Sequence, residues 1–256
     1  MQMKQRAIMA TAIHAYSTLK EICDHSFEGL TYGQKSMNYF VSQNAQMIRS
    51  TAPKVNLSLF KGNSVSNAYV ISKGSLNEVN LYDTEDSGIK YFCIDIKAIT
   101  ASTTFADVMR GFGATQIGDM VTIVNLVYNP GGNASIYFVR LKLAEGNKAK
   151  VVGSAESNGN ILSKLEEGTD FETNIDNFSP DDFPISWKES LLFIGGGTLL
   201  SNPTQQSMGI ILSRKSDTGW LRSPSKMINL VDTYNYAEAL ATYPESGEKI
   251  LNGGSM

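Results

Sequence analysis

The apolar residues of this chain change their spacing once. Up to about residue 50 they recur every three or four positions, and from residue 55 onward they tend to alternate. A period near 3.6 lays one stripe along a helix, and a period of two lays one face along a strand. A chain with both patterns, one after the other, combines helices with sheet in separate stretches. The sequence therefore predicts an α+β chain, mainly β, and not an alternating helix–strand fold.

In the helical part, Met9, Ala12, Ile13, Tyr16, Leu19 and Cys23 form one stripe, and Met37, Phe40, Val41, Asn44 and Ile48 form a second. Between them Asp24-His25-Ser26-Phe27-Glu28-Gly29 reads as a helix exit with Gly29 as the stop, and Pro53 closes the second helix. Residues 7–50 thus form a helical hairpin, the bulk of an N-terminal unit spanning 1–52. Its apolar faces need a partner, either the rest of this chain or another subunit.

Residues 53–256 read as a β-rich body. Lys90–Ala98 alternates, with Phe92, Ile94, Ile96 and Ala98 on one side. Val121–Tyr128 is apolar on both faces, the mark of a central strand. Ser135–Leu143 sets Tyr137, Val139, Leu141 and Leu143 against Arg140 and Lys142, and Asn129-Pro130-Gly131-Gly132-Asn133 joins the two runs as a hairpin. Val55–Phe60, Ala68–Ser72, Lys150–Ser154, Leu191–Ile194, Gly209–Arg214 and Trp220–Arg222 add shorter strands. Many short strands between Gly, Asn and Ser turns favour an antiparallel β-sandwich or barrel-like body. Tyr234–Tyr243 reads as a short closing helix before a flexible tail marked by Pro244, Gly247, Gly253 and Gly254.

Composition narrows the function. At 256 residues the chain can bury a sizeable core, and 42% hydrophobic with 18% charged residues is globular rather than disordered. A net charge of −3 disfavours coating duplex DNA, although a local basic patch remains compatible with nucleic acid. Two Cys and two His, scattered, make no zinc site, and no cofactor motif is present. Lys4 and Arg6 are not followed by an apolar run long enough for a leader, and no stretch reaches the length of a membrane span. The expectation is synthesis in the cytoplasm, with Cys23 and Cys93 reduced. Asn133-Ala134-Ser135 is then a chance sequon.

Catalytic motifs are weak. Asp24, His25 and Ser26 hold the letters of a triad, but adjacent side chains leave the backbone in different directions, so His25 reads as a helix-end residue and His14 as a boundary one. Gly195-Gly196-Gly197 lacks the Lys and the following helix of a phosphate loop. Gly111-Phe112-Gly113 is a loop. The acidic run Glu166, Glu167, Asp170, Glu172, Asp176, Asp181 and Asp182 lacks calcium-loop spacing and reads as solvated. Asp181 and Asp182 are the sole candidates for a glycan-cleaving carboxylate pair.

Ser213–Met227 carries the clearest local pattern. Arg214, Lys215, Arg222 and Lys226 surround Trp220, a combination that can stack on and neutralise single-stranded nucleic acid. The favoured alternative is a hairpin turning at Asp217-Thr218-Gly219, with Trp220 packed inward and the charges in water.

Three blocks, Leu19–Asn44, Ala68–Leu76 and Gly209–Met227, resemble uncharacterised proteins of gut bacteria and of their phages and mobile elements. The likeness covers about a quarter of the chain and includes no catalytic motif. It implies a context, a phage or mobile-element protein such as a virion component, located in the virion.

The expectation is thus a non-enzymatic structural or assembly protein: an auxiliary capsid, decoration or fibre-associated component, self-associating or bound to other virion proteins. Met3, Met9, Met37 and Met47 would make the helices adaptable at an interface. The interface candidates are Tyr16, Phe27, Phe40, Trp220 and Arg222. The alternative is single-stranded nucleic-acid binding through Arg214, Lys215, Trp220 and Arg222. No catalytic residue and no metal ligand is assigned.

Overall fold

A computed structural model describes residues 2–50, 67–79, 82–86, 89–95, 103–128, 134–146, 148–155, 170–171, 185–188, 191–194 and 205–231. Outside them lie Pro53, Val55–Phe60, the 129–133 turn, Gly195–Gly197, Asp181 and Asp182 with most of the acidic run, Tyr234–Tyr243 and the tail.

Three helices open the chain: α1 (Gln2–Thr18), α2 (Lys20–Cys23) and α3 (Gln34–Ser50). The break at Leu19 is slight, because its N–H still reaches the Ala15 carbonyl (3.0 Å) and its own carbonyl accepts from Cys23 (2.9 Å). The buried stripe is Ile8, Ala12, Ala15, Tyr16, Leu19, Ile22 and Cys23. It keeps the predicted Ala12, Tyr16, Leu19 and Cys23 and adds Ile8, Ala15 and Ile22, while the predicted Met9 (45% exposed) and Ile13 (42%) face outward. Small Ala12 and Ala15, together with Thr11, allow close approach on the buried side. On α3 the predicted Phe40, Asn44 and Ile48 are buried and Met47 joins them.

The strands are β1 (Val70–Ser72), β2 (Tyr82–Asp86), β3 (Ile89–Asp95), β4 (Met120–Tyr128), β5 (Ala134–Ala144), β6 (Lys148–Ala155), β7 (Asp170–Phe171), β8 (Ile185–Lys188), β9 (Leu191–Ile194), β10 (Gln205–Ser216), β11 (Gly219–Arg222), β12 (Ser225–Lys226) and β13 (Ile228–Val231). The main sheet has the order β11-β10-β4-β5-β6-β7, with β13 also on β10. A second sheet runs β2-β3-β9-β8, and β1 pairs β12. Every ladder is antiparallel, and among the described residues the main sheet stays open from β11 to β7. The chain is therefore α+β, with N-terminal helices and antiparallel sheets that fit a sandwich rather than a closed barrel. The predicted β4–β5 hairpin has the register Tyr128↔Ala134 through Met120↔Lys142.

Strand β4 is apolar on both faces because both faces of the main sheet are covered. On one face, Val121, Ile123, Val139, Leu141, Leu143, Met208, Ile210 and Leu212 pack under a helix absent from the sequence reading, α4 (Phe105–Gly111). Its start is a capping box, with Thr104 and Asp107 each accepting the other's backbone N–H. Its end is a Schellman turn. The Gly113 N–H reaches the Arg110 carbonyl, the Ala114 N–H reaches the Met109 carbonyl, and Gly113 takes φ 99°.

On the other face, Val124, Leu126, Phe138 and Ile211, with Tyr69, Ile71 and Met227, pack against α1–α3. The partner of the helical hairpin is thus the rest of this chain. A fully buried large side chain contributes roughly 1.5–3 kcal/mol. Leu19, Ile22, Phe40 and Ile48 together then approach the whole net stability of a domain, about 5–15 kcal/mol. The helices cannot be a dispensable extension. Among the described residues no helix is long and apolar enough to cross a membrane.

Candidate interaction site at the Trp220 hairpin

Three remote segments meet where the 24–33 turn touches the β10–β11 hairpin. The Ser72 hydroxyl sits between the Ser26 carbonyl (2.9 Å) and the Ser223 carbonyl (2.6 Å). A parallel bridge joins Phe27 to Lys73, with Glu28 N–H donating to the Lys73 carbonyl (2.8 Å) and Lys73 N–H to the Ser26 carbonyl (3.1 Å). The Glu28 carboxylate accepts from Ser75 N–H (2.9 Å), the Ser75 hydroxyl (2.9 Å) and Arg222 N–H (3.0 Å). Gly74 fits here because a Cβ would lie 2.0 Å from the Arg222 carbonyl oxygen.

Arg222 is the pivot of this junction. Its Nε donates to the His25 carbonyl (2.9 Å), its own carbonyl accepts from Leu76 N–H (2.9 Å), and its guanidinium lies 5.0 Å from the centre of the Trp220 ring. Burial and the nearby Arg140 charge push its pKa down to about 10, with Glu28 opposing them, so it stays a cation at neutral pH. Burial works against ionisation of Glu28, but the Arg222 and Ser75 donors outweigh it and hold the carboxyl below its usual range.

Above this locked base lies a groove of about 440 Å³ between the turn and the hairpin. Its lining mixes polar groups, Asp24, His25 and Thr218 among them, with open apolar and aromatic ones: Tyr32 is 71% exposed, Trp220 41%, and Leu30 is exposed as well. The His25 ring stands 5.5 Å from that of Tyr32. The letters of the triad diverge. Asp24 accepts from Tyr16 and Gly33, His25 lies against Tyr32, and the Ser26 hydroxyl donates to the Ile22 carbonyl. No nucleophile meets a base there.

The structure separates the residues singled out by sequence. Tyr16, Phe27 and Phe40 lie inside the helix–sheet core, where Phe40 stacks between Tyr16 (5.6 Å) and Tyr69 (5.5 Å). The expected hairpin at Asp217-Thr218 is present, with Ser216 opposite Gly219. Two details of it need correction. Trp220 is 41% exposed on the rim of the groove rather than packed inward. Arg222, expected in water, is only 8% exposed, because the 24–33 turn folds over it.

Arg214 and Lys215 part company. Lys215 sits opposite Trp220 and is exposed, whereas Arg214 sits opposite Leu221 on the other face. There Arg214 grips Asp119 through Nε (2.8 Å) and Nη2 (2.6 Å). Asp119 also accepts from Thr115 and Gln116 N–H (2.8 and 2.9 Å). Burial opposes its ionisation, but Arg214 and the two backbone donors prevail and hold it below the ordinary carboxylate range.

Sequence reasoning missed Leu30, Tyr32, Glu28 and Asp119. A signal existed for the first two, since Leu30 and Tyr32 stand between Gly29 and Gly33, in a turn too short to bury them. No comparable signal marked Glu28 or Asp119, whose partners are distant in sequence. No family model, no curated protein and no solved structure matches the chain.

Proposed function

We propose that the chain is a non-enzymatic structural or assembly protein acting through protein–protein contacts. At finer grain we propose a phage virion component, of the auxiliary capsid, decoration or fibre-associated kind, in keeping with the resemblance of its three blocks. One observation carries the reading. The groove at the hairpin has an exposed Leu30–Tyr32–Trp220 rim, while Glu28 and Arg222 beneath it are committed to internal hydrogen bonds. Such a site offers apolar, aromatic contact on a rigid base and little reactive chemistry, which suits a protein partner. Met9 and Ile13, one turn apart on the outer face of α1, add a second apolar exposure.

The test is light scattering after size-exclusion chromatography, at low and high salt, on the chain and on a Tyr32→Ser, Trp220→Ser double variant. The expected result is a defined oligomer that survives high salt and falls to monomer in the variant with unchanged thermal stability. A chain that is monomeric throughout removes self-assembly from the reading. An oligomer indifferent to both substitutions removes the rim.

A further inference from the structure

The main sheet gathers positive charge on one face although the chain as a whole is acidic. Register places Arg222 opposite Ser213, Ser213 opposite Met120, Met120 opposite Lys142, and Lys142 opposite Lys150. Directly opposed residues project to the same side of a sheet. This row therefore lies on the face that carries α1–α3; within it Arg222 and Ser213 are buried and Lys142 is exposed. The next row toward the hairpin tip holds Trp220 and Lys215, and the next inward holds Arg140 and Thr122. Lys142, Lys215 and Trp220 are exposed, and Arg140 is half-buried with its Nε on Thr122 (3.2 Å).

Two described carboxylates oppose part of this charge, Glu28 at Arg222 and Glu21 at Arg140, and leave Lys142 and Lys215 as its exposed cations. Glu28 is committed to Ser75 and to the Arg222 backbone, and Glu21 acts on Arg140 only through space. Asp170, opposite Lys150, marks the far edge. Arg140 in turn disfavours the charge on Arg222, so a folded chain that brings these cations together does so against their mutual repulsion. Arg222 itself is buried beneath the 24–33 turn, so an anion laid over this face meets Lys142, Lys215 and the half-buried Arg140.

We propose that this face, where Lys142, Lys215 and Trp220 are exposed beside the half-buried Arg140, binds single-stranded nucleic acid. The span from β11 to β5 is three strand spacings, about 14 Å. That covers several phosphates at the roughly 3.4 Å per nucleotide of a stacked strand. The exposed Trp220 ring supplies the stacking surface that a bare polyanion would not use. This site is not the one read from sequence, because Arg214 is on the opposite face and held by Asp119. The site shares Trp220 with the protein-docking groove, but not Leu30 or Tyr32, and its Lys142 and Lys215 lie outside that groove's lining.

The test is fluorescence anisotropy with a labelled 20-nucleotide oligo-dT at roughly 50 and 200 mM salt. The wild-type chain is expected to bind and to weaken with salt. Lys142→Glu with Lys215→Glu, both exposed and therefore safe for the fold, should weaken binding at least about tenfold. The double change should also flatten the slope of log affinity against log salt by roughly 1.4, at about 0.7 per phosphate contact. Trp220→Ala should cost about tenfold with little change of slope, since stacking is not ionic. Lys35→Glu, exposed at the start of α3, should bind as the wild type does. No binding at 50 mM salt, indifference to the double charge reversal, or equal competition by poly-glutamate overturns the proposal.

Discussion

Asp119 is the most stringent test of how the structure is held together. Its carboxylate is the common acceptor for Arg214 and for the Thr115 and Gln116 N–H groups, and its side chain is 1% exposed against 21% for Arg214. The loop it organises leads into β4, and the Asp119 backbone carbonyl accepts from Leu143 N–H (2.8 Å), tying the loop to β5. Asp119→Asn keeps the shape but offers one acceptor and one donor where two acceptors are needed. Both backbone donors bond the same oxygen, Oδ2, so an amide oxygen placed there keeps them and turns its NH2 group onto the Arg214 Nε–H, losing that bond. Breaking a fully buried ion pair from one side costs about 3–5 kcal/mol, and the partial exposure of Arg214 lowers that to roughly 2–3. The expected loss is therefore about 2–3 kcal/mol, roughly 5–10 °C in Tm for a chain of this size.

The assay is urea unfolding followed by tryptophan fluorescence and circular dichroism, with the slope m checked for constancy. The pH dependence has a definite sign. A carboxyl with a depressed native pKa contributes stability above its unfolded value, about 3.9, and loses it as pH falls through the native value. Wild type and Asp119→Asn should therefore differ by a constant amount at neutral pH and converge below about pH 4. Arg110→Ala, which removes an exposed pair with Asp107 (2.9 Å), should cost at most about 0.5 kcal/mol. An Asp119→Asn variant within about 0.5 kcal/mol of wild type at pH 7 would refute the reasoning.

Two further predictions concern packing and the buried thiol. Gly74→Ala sets a methyl 2.0 Å from the Arg222 carbonyl, which is backbone and cannot step aside, and should cost at least about 3 kcal/mol in thermal unfolding. Gly209→Ala meets the Ile71 Cδ1 at 2.9 Å, a side-chain end that can move, and should cost only about 1 kcal/mol; equal losses would contradict the geometry. Burial, reinforced by the Asp24 charge, pushes the Cys23 thiol far up from its ordinary range. In a Cys93→Ser background it should resist a thiol reagent at pH 8 in the folded chain and react once urea unfolds it. Rapid labelling of the native state would refute its burial.

The period of the apolar residues was enough to place the helices before the strands and to identify β3, β4, β5, β10 and β11, because each of those patterns is local. Local signals also existed for features that went unread: Thr104 and Asp107 spell the capping box of α4, and glycines bracket Leu30 and Tyr32. What sequence could not supply was the edge of each stripe and its partner. Met9 and Ile13 share the period of the α1 stripe yet face outward, because the choice of buried side depends on which surface Ala12 and Ala15 allow to approach. Trp220 and Arg222 are two residues apart on one strand face, yet one is open and the other covered, because a turn from 190 residues earlier in the chain closes over only one of them. Arg214 and Lys215 are neighbours in sequence, but the pleat sends them to opposite faces, one to Asp119 and one to solvent. The alternation of Arg140 with Lys142 was written in the chain. That Arg222 and Lys215 join them on one face was decided by the register of four strands.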